Sequence, residues 1–136
     1  MPSTTDRPGT RAVPALTAAA AAADFILILT FAAIGRDAHA RGETIIGVLS
    51  TAWPFLGGAA VTWLLLRLWR RPLALWPAGV AVWLGTVAIG MALRALTGQT
   101  VVLPFVVVAL LSLAVFLLGY RLIIAVVIRL RARRRA

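Results

Sequence analysis

The chain has 136 residues, 62% of them hydrophobic, and a formal net charge of +10 at pH 7. A mean hydropathy of +0.97 excludes a soluble domain of this size, because one small core cannot bury so much apolar surface. The lack of Lys and Cys excludes Schiff-base chemistry, Walker-type phosphate loops, thiol nucleophiles and thiolate metal sites. The composition therefore indicates an integral membrane protein.

Four apolar runs, each long enough to cross a hydrocarbon core of about 30 Å, follow a polar segment. The polar, proline-bearing residues 1–12 are predicted to be a disordered cytoplasmic tail. The runs cover about residues 13–34, 44–66, 72–93 and 101–120 or beyond, inside a transmembrane domain of residues 13–128. Because short connections make neighbouring helices antiparallel, the predicted fold is an all-α antiparallel four-helix transmembrane bundle. Residues 129–136 are predicted to be an Arg-rich cytoplasmic tail.

Asp24 lies inside the first apolar run, about 12 Å along a helix from its cytoplasmic edge. A carboxylate inside a membrane is costly, so it is a candidate for function with a partner to be named. Arg121 is that partner if the fourth helix continues to Arg129; otherwise Arg121 extends to the cytoplasmic headgroups. Three states stay open for Asp24: an ion pair with Arg121, a protonated acid with one hydrogen bond, and a proton-coupling group.

The connection after the first run concentrates ionisable side chains, and its charges approximately cancel. They are Arg36, Asp37, His39, Arg41 and Glu43. A single loop histidine is commonly a solvated or capping side chain, and no HExxH motif or histidine pair accompanies it. The connection is therefore predicted to be a compact, charge-compensated loop against whose acids Arg94 docks.

These patterns predict no catalytic residue, no metal site and no cofactor, and the protein is not expected to be an enzyme. The candidate functional or structural polar residues are Asp24, Arg36, His39, Arg94 and Arg121.

Small residues recur at helical spacing in the third run. They form the pairs Ala81 with Gly85 and Thr86 with Gly90. Small-xxx-small pairs let two backbones approach closely, which is a main packing device in lipid. The third helix is therefore predicted to pack closely against a neighbouring helix.

The five tryptophans have two predicted roles. Trp69 and Trp76 flank the second connection, where an interfacial aromatic belt is expected. Trp53, Trp63 and Trp83 are predicted to be packing residues rather than a binding cage.

The arginines are distributed unequally over the two sides of the predicted bundle. Ten lie in the two tails and the second connection, whereas three lie in the first and third connections. The positive-inside rule therefore predicts a multi-pass protein of the bacterial cytoplasmic membrane with both termini in the cytoplasm. Anionic lipid headgroups are the expected partner of the C-terminal cluster, and nucleic acid is not, because no aromatic residues interleave these charges on a polar surface.

Four segments together resemble one family. The pieces are FAAIGRDAH, TAWPFLGG, GVAVWLGTVAIGMALR and FVVVALLSLAVFLLGYR, in this order. They are similar to an uncharacterised family of four-span membrane proteins from actinobacteria and relatives, catalogued as domain of unknown function 3054. The likeness covers about residues 13–122. It implies an intact four-helix membrane domain and adds no activity, substrate or cofactor.

Three hypotheses of function follow from these residues. The first is a non-catalytic subunit, assembly factor or regulator that acts through helix packing with a membrane-protein partner or a second copy. The second is a small oligomeric transporter or ion pathway coupled to protonation of Asp24, and the third is an interfacial enzyme that uses the outer-loop His39. The first is favoured, because the spans contain few polar groups.

Overall fold

The computed structural model describes residues 12–38 and 44–136, and the described residues are helical apart from short connections. The α-helices are α1 (Ala12–Ala38), α2 (Ile45–Leu65), α3 (Val80–Leu96), α4 (Leu103–Leu113) and α5 (Gly119–Arg135). A 3-10 turn (Leu68–Arg70) and a π turn (Leu75–Gly79) precede α3, and a second π turn (Ala114–Leu118) joins α4 to α5.

Within the described ranges, four apolar helical segments are long enough to cross a membrane. They are Pro14–Arg36, Ile45–Leu65, Leu75–Leu96 and Leu103–Arg135. This arrangement confirms the predicted all-α four-helix membrane bundle. Of the tail predicted at residues 1–12, residues 1–11 lie outside the described residues and Ala12 begins α1. The segment predicted as an Arg-rich tail is a continuation of α5.

Helix α2 packs closely against α3 through residues without bulky side chains. A Cβ atom on Gly58 would lie 3.0 Å from the carbonyl oxygen of Thr86 and 3.1 Å from the amide nitrogen of Gly90. Gly85 also faces α2, whereas Ala81 is only partly buried. The predicted close approach of the third helix is therefore confirmed, and Gly85, Thr86 and Gly90 make it.

Three phenylalanine rings join α1, α2 and α4 near one end of the bundle. The ring centroids of Phe31 and Phe55 are 5.4 Å apart in an edge-to-face arrangement. Phe105 lies 6.5 Å from Phe31 and 6.1 Å from Phe55. Such offset and edge-on geometries suit the ring quadrupoles. This end of the core is therefore held by three helices that are distant in sequence.

The connection between α2 and α3 folds back against the bundle. Arg67 adopts a left-handed conformation with φ of 51°, which turns the chain directly after α2. The side chain of Leu68 and the ring of Pro72 are buried, and the Thr17 hydroxyl donates a hydrogen bond to the Trp69 carbonyl at 3.1 Å. This connection therefore closes one end of the space between α1 and the fourth helix.

Candidate functional site

Asp24 and Arg121 form a bidentate ion pair inside the bundle. The Arg121 Nη1 and Nη2 atoms lie 2.8 Å from Asp24 Oδ1 and Oδ2, respectively. Arg121 is 0% exposed and Asp24 is 2% exposed. Two parallel N–H···O bonds between planar groups are the strongest geometry for an Arg–carboxylate pair. The structure therefore shows the paired geometry, one of the three states that the sequence left open.

Two further donors bind the same carboxylate. The Tyr120 hydroxyl donates to Asp24 Oδ1 at 2.6 Å, and the Trp63 indole N–H donates to Oδ2 at 3.0 Å. A carboxylate has about four acceptor sites, and four donors now occupy them. Asp24, Arg121, Tyr120 and Trp63 are called the Asp24 cluster below. Its carboxylate is completely hydrogen-bonded without water or ligand.

Arg121 uses backbone oxygens as well as the carboxylate. Its Nε atom donates to the Pro72 carbonyl and its Nη1 atom to the Leu117 carbonyl, each at 3.0 Å. Four of the five guanidinium N–H groups therefore have acceptors in the structure. The guanidinium carbon also lies 4.8 Å from the centroid of the Tyr120 ring, a cation–π distance. Arg121 thus joins α1, α5 and the connection before α3.

The local sequence explains how a buried arginine fits here. Helical side chains point toward the N-terminus of their helix, so Arg121 extends back toward Leu117 and the bundle interior. Gly79 leaves the space for this path, because a Cβ there would lie 3.0 Å from Arg121 Cδ and 3.1 Å from Leu118 Cδ2. A small residue at position 79 is therefore part of the arginine's environment.

The fourth helix, the segment Leu103–Arg135, contacts α1 at two places. Phe31 and Phe105 are in ring contact, and Asp24 lies seven residues from Phe31, about 10 Å along α1. Arg121 lies sixteen residues from Phe105, about 24 Å along the fourth helix. The long arginine side chain bridges part of that difference. The helix continues past Arg121 to Arg135, as the pairing hypothesis required.

Arg36 and Arg94 lie together near the opposite end of α1, twelve residues or about 18 Å from Asp24. Arg94 is buried, and it donates to Gln99 Oε1 at 2.8 Å and to the Thr100 carbonyl at 2.8 Å. Arg36 Nη1 donates to the Thr51 hydroxyl at 3.4 Å. The structure therefore divides the candidate residues between two places.

The other predictions for the connection after α1 concern residues outside the described ranges. His39 and Glu43 lie outside the described residues, and so does the side chain of Asp37. The predicted docking of Arg94 against these acids therefore stays a prediction, as does any role of His39.

Trp63 and Tyr120 are site residues that the sequence analysis did not identify. Trp63 was predicted to be a packing residue, and that prediction was incomplete, because its indole N–H binds Asp24. The sequence did carry a signal for both residues, namely the polar group on each ring. A buried indole N–H or phenol hydroxyl usually requires a hydrogen-bond partner. Trp83 behaves similarly, donating to the Leu110 carbonyl at 2.8 Å.

In the part of the chain that the structure describes, four apolar helical segments pack around a buried ion pair, which is the architecture of a helical membrane bundle. The family described as "Protein of unknown function (DUF3054)" matches residues 21–124, and the chain belongs to this family. The matched region begins three residues before Asp24 and ends three residues after Arg121, so it contains the whole Asp24 cluster. No curated protein and no solved structure matches the chain.

Proposed function

We propose that this protein is a non-catalytic component of the bacterial cytoplasmic membrane: a subunit, assembly factor or regulator that acts through helix packing. The observation that carries the proposal is the complete hydrogen bonding of Asp24. A proton carrier needs a carboxylate that releases its partner and meets water. The Asp24 carboxylate instead has two bonds from Arg121, one from Tyr120 and one from Trp63, and it is 2% exposed.

The cluster also supports a scaffold role, because it fixes helices that have few other polar contacts. Asp24 belongs to α1, Trp63 to α2 and Arg121 to α5, and the Pro72 carbonyl belongs to the connection before α3. These contacts link α1, α2, α5 and the connection before α3. A rigid bundle of this kind presents fixed apolar outer faces to lipid, to a membrane-protein partner or to a second copy.

Reconstitution tests this function against the transport alternative. The purified protein and the Asp24→Asn variant are placed in liposomes with an internal pH-sensitive dye, and a pH gradient is imposed. We expect both to match empty liposomes in proton flux. In parallel, gentle detergent extraction from the native membrane should give a complex heavier than one chain. A proton flux that depends on Asp24 would contradict the proposal and support the transporter hypothesis.

The proposed topology has both termini in the cytoplasm. Reporter fusions after Gly42 and after Gly98 are expected to report the outer side of the membrane, and a fusion after Ala136 the inner side. The physical reason is the excess of arginines in the tails and in the connection after α2. Cytoplasmic activity of the Gly42 fusion would contradict this orientation.

The proposed lipid partner of the C-terminus is the anionic headgroup layer of the inner leaflet. Five arginines lie between residues 129 and 135, all of them exposed. Each basic residue at an anionic surface contributes about 1 kcal/mol. The helical end of α5 would therefore be held along the membrane surface by charge.

A further inference from the structure

The connection between α2 and α3 carries three arginines on one turn. Arg67, Arg70 and Arg71 are all exposed. The Arg70 amide donates to the Arg67 carbonyl and the Arg71 amide to the Leu68 carbonyl, each at 3.2 Å. A turn bond of this kind keeps the Cα atoms of its first and fourth residues within about 7 Å. Arg67, Arg70 and Arg71 are called the basic turn below.

No acidic side chain balances the basic turn in the part of the chain that the structure describes. The acid described there, Asp24, is paired with Arg121. The three guanidinium groups of the basic turn make no hydrogen bond or ion pair with a described residue. Like charges within one turn repel each other, so a bound anion would offset this repulsion.

The backbone at Arg67 would suit glycine better than arginine. Its φ of 51° and ψ of 51° are left-handed angles, which glycine adopts without strain and which other residues adopt only at a cost. The turn itself therefore gives no reason for an arginine at this position. A contact of the side chain outside the chain does give one.

The bundle holds the backbone of the basic turn in place. The residues Leu68 and Pro72 are buried. The Trp69 carbonyl accepts from the Thr17 hydroxyl, and the Pro72 carbonyl accepts from Arg121 Nε. The arginines therefore extend from a fixed frame, which lowers the cost of ordering the turn around a ligand.

Apolar and aromatic side chains border the basic turn. The leucines at residues 64–66, directly before Arg67, are 58–74% exposed at the end of an apolar helix long enough to cross a membrane. Trp69 and Trp76 are 40% and 76% exposed. Exposed tryptophans are typical of the level of the lipid headgroups, so the basic turn has the surroundings of a headgroup site.

We propose that the basic turn binds the phosphate of a net-anionic membrane phospholipid. The guanidinium groups donate charge-assisted hydrogen bonds to the phosphate oxygens. The acyl chains follow the exposed leucines at residues 64–66 into the bilayer. Free phosphate has the same charge but no chain to cover these leucines, so the apolar border favours the lipid. This site is separate from the C-terminal arginines and from the proposed scaffold role.

Tryptophan quenching in liposomes tests the proposal on the full chain. Phosphatidylcholine bilayers receive equal mole fractions of brominated phosphatidylglycerol or brominated phosphatidylcholine, whose bromine atoms quench nearby indole rings. The quenching that is lost in the double variant Trp69→Phe, Trp76→Phe belongs to the connection. We expect phosphatidylglycerol to be preferred there about threefold or more, as basic residues at a membrane surface attract anionic lipid. The C-terminal arginines are the same in every sample.

Two single variants locate this preference in the basic turn. Arg67→Gly and Arg70→Gln should each lower it about twofold or more. Arg67→Gly should keep the unfolding temperature of the parent, because glycine suits the left-handed position, so a loss of lipid preference would not come from a loss of fold. Arg70→Gln changes an exposed side chain and keeps the test decisive if Arg67→Gly does not fold.

The matched control is Thr97→Glu. It lowers the net charge by the same amount at an exposed position beyond the C-terminal end of α3 and should keep the preference of the parent. No preference for phosphatidylglycerol in the parent, or an unchanged preference in both arginine variants, would overturn the proposal. A preference that inorganic phosphate abolishes at constant ionic strength would also overturn it, since the turn would then bind a free anion.

Discussion

Replacement of Arg121 by Gln is expected to lower the free energy of unfolding in detergent by about 3–5 kcal/mol, as removal of one partner of a buried ion pair does. The variant would leave the Asp24 carboxyl group buried and without a cation. It would also remove the hydrogen bonds that Arg121 donates to the carbonyl oxygens of Pro72 and Leu117. Asp24→Asn should cost a similar amount, because it leaves the guanidinium without its counter-charge.

Chemical unfolding in one detergent, followed by tryptophan fluorescence, measures these changes. The matched control is Arg134→Gln at an exposed position of α5, whose effect should stay within about 0.5 kcal/mol. A loss at Arg121 no larger than that of the control would show that the ion pair contributes nothing measurable to the fold.

The second large effect is expected at the contact between α2 and α3. Gly58→Ala should lower the free energy of unfolding by about 1–3 kcal/mol, the usual cost of overpacking. The added methyl group would lie 3.0 to 3.1 Å from backbone atoms of Gly85, Thr86 and Gly90. Backbone atoms within a helix do not move individually, so α2 and α3 would have to separate.

Gly57 supplies the control one residue away on the same helix. A Cβ at Gly57 would lie 3.2 Å from Leu93 Cδ1, and a methyl group at the end of a leucine side chain can rotate away. Because alanine favours a helix over glycine by about 1 kcal/mol, Gly57→Ala should be neutral or stabilising. Equal stability of the Gly57→Ala and Gly58→Ala variants would contradict this prediction. It would mean that the contact between α2 and α3 has room for a side chain at position 58.

The four spans could be predicted because their signal is local. An apolar run of about twenty residues needs no knowledge of its neighbours to be assigned as a membrane helix. The boundaries of the third span were less predictable. It was expected from residue 72, whereas Trp76 is still extended, with φ −122° and ψ 132°, and regular α-helix begins at Val80. Pro72 and Pro77 lack the N–H groups that a continuous helix would use.

The two charged members of the Asp24 cluster could be predicted for a different reason. A charged residue within an apolar run is easy to recognise in a sequence. Asp24 and Arg121 were paired because the apolar runs offered no other pair of opposite charges. Trp63 and Tyr120 did not stand out, since both residue types are also common at membrane interfaces. The Pro72 carbonyl carries no side-chain signal at all. Its role depends on how the connection after α2 folds back.

The cavity between the C-terminal part of α1 and the N-terminal part of α4 is a property of tertiary structure and left no trace in the spacing of residues. Arg36 and Arg94 were candidates because of their positions at span ends, and both line this cavity. Their common position depends on contacts between residues more than seventy positions apart, among them Phe31 with Phe105.

A double-mutant cycle on Asp24 and Arg121 tests the central claim most directly, namely that the two charges stabilise the bundle as a pair. The free energy of unfolding is measured for the parent, Asp24→Asn, Arg121→Gln and the double variant under identical conditions. Residues in direct contact typically show coupling of about 0.5–3 kcal/mol. We predict that the double variant loses less stability than the sum of the single losses, by an amount in this range. Additive losses would contradict the claim and leave Asp24 and Arg121 as independent polar groups.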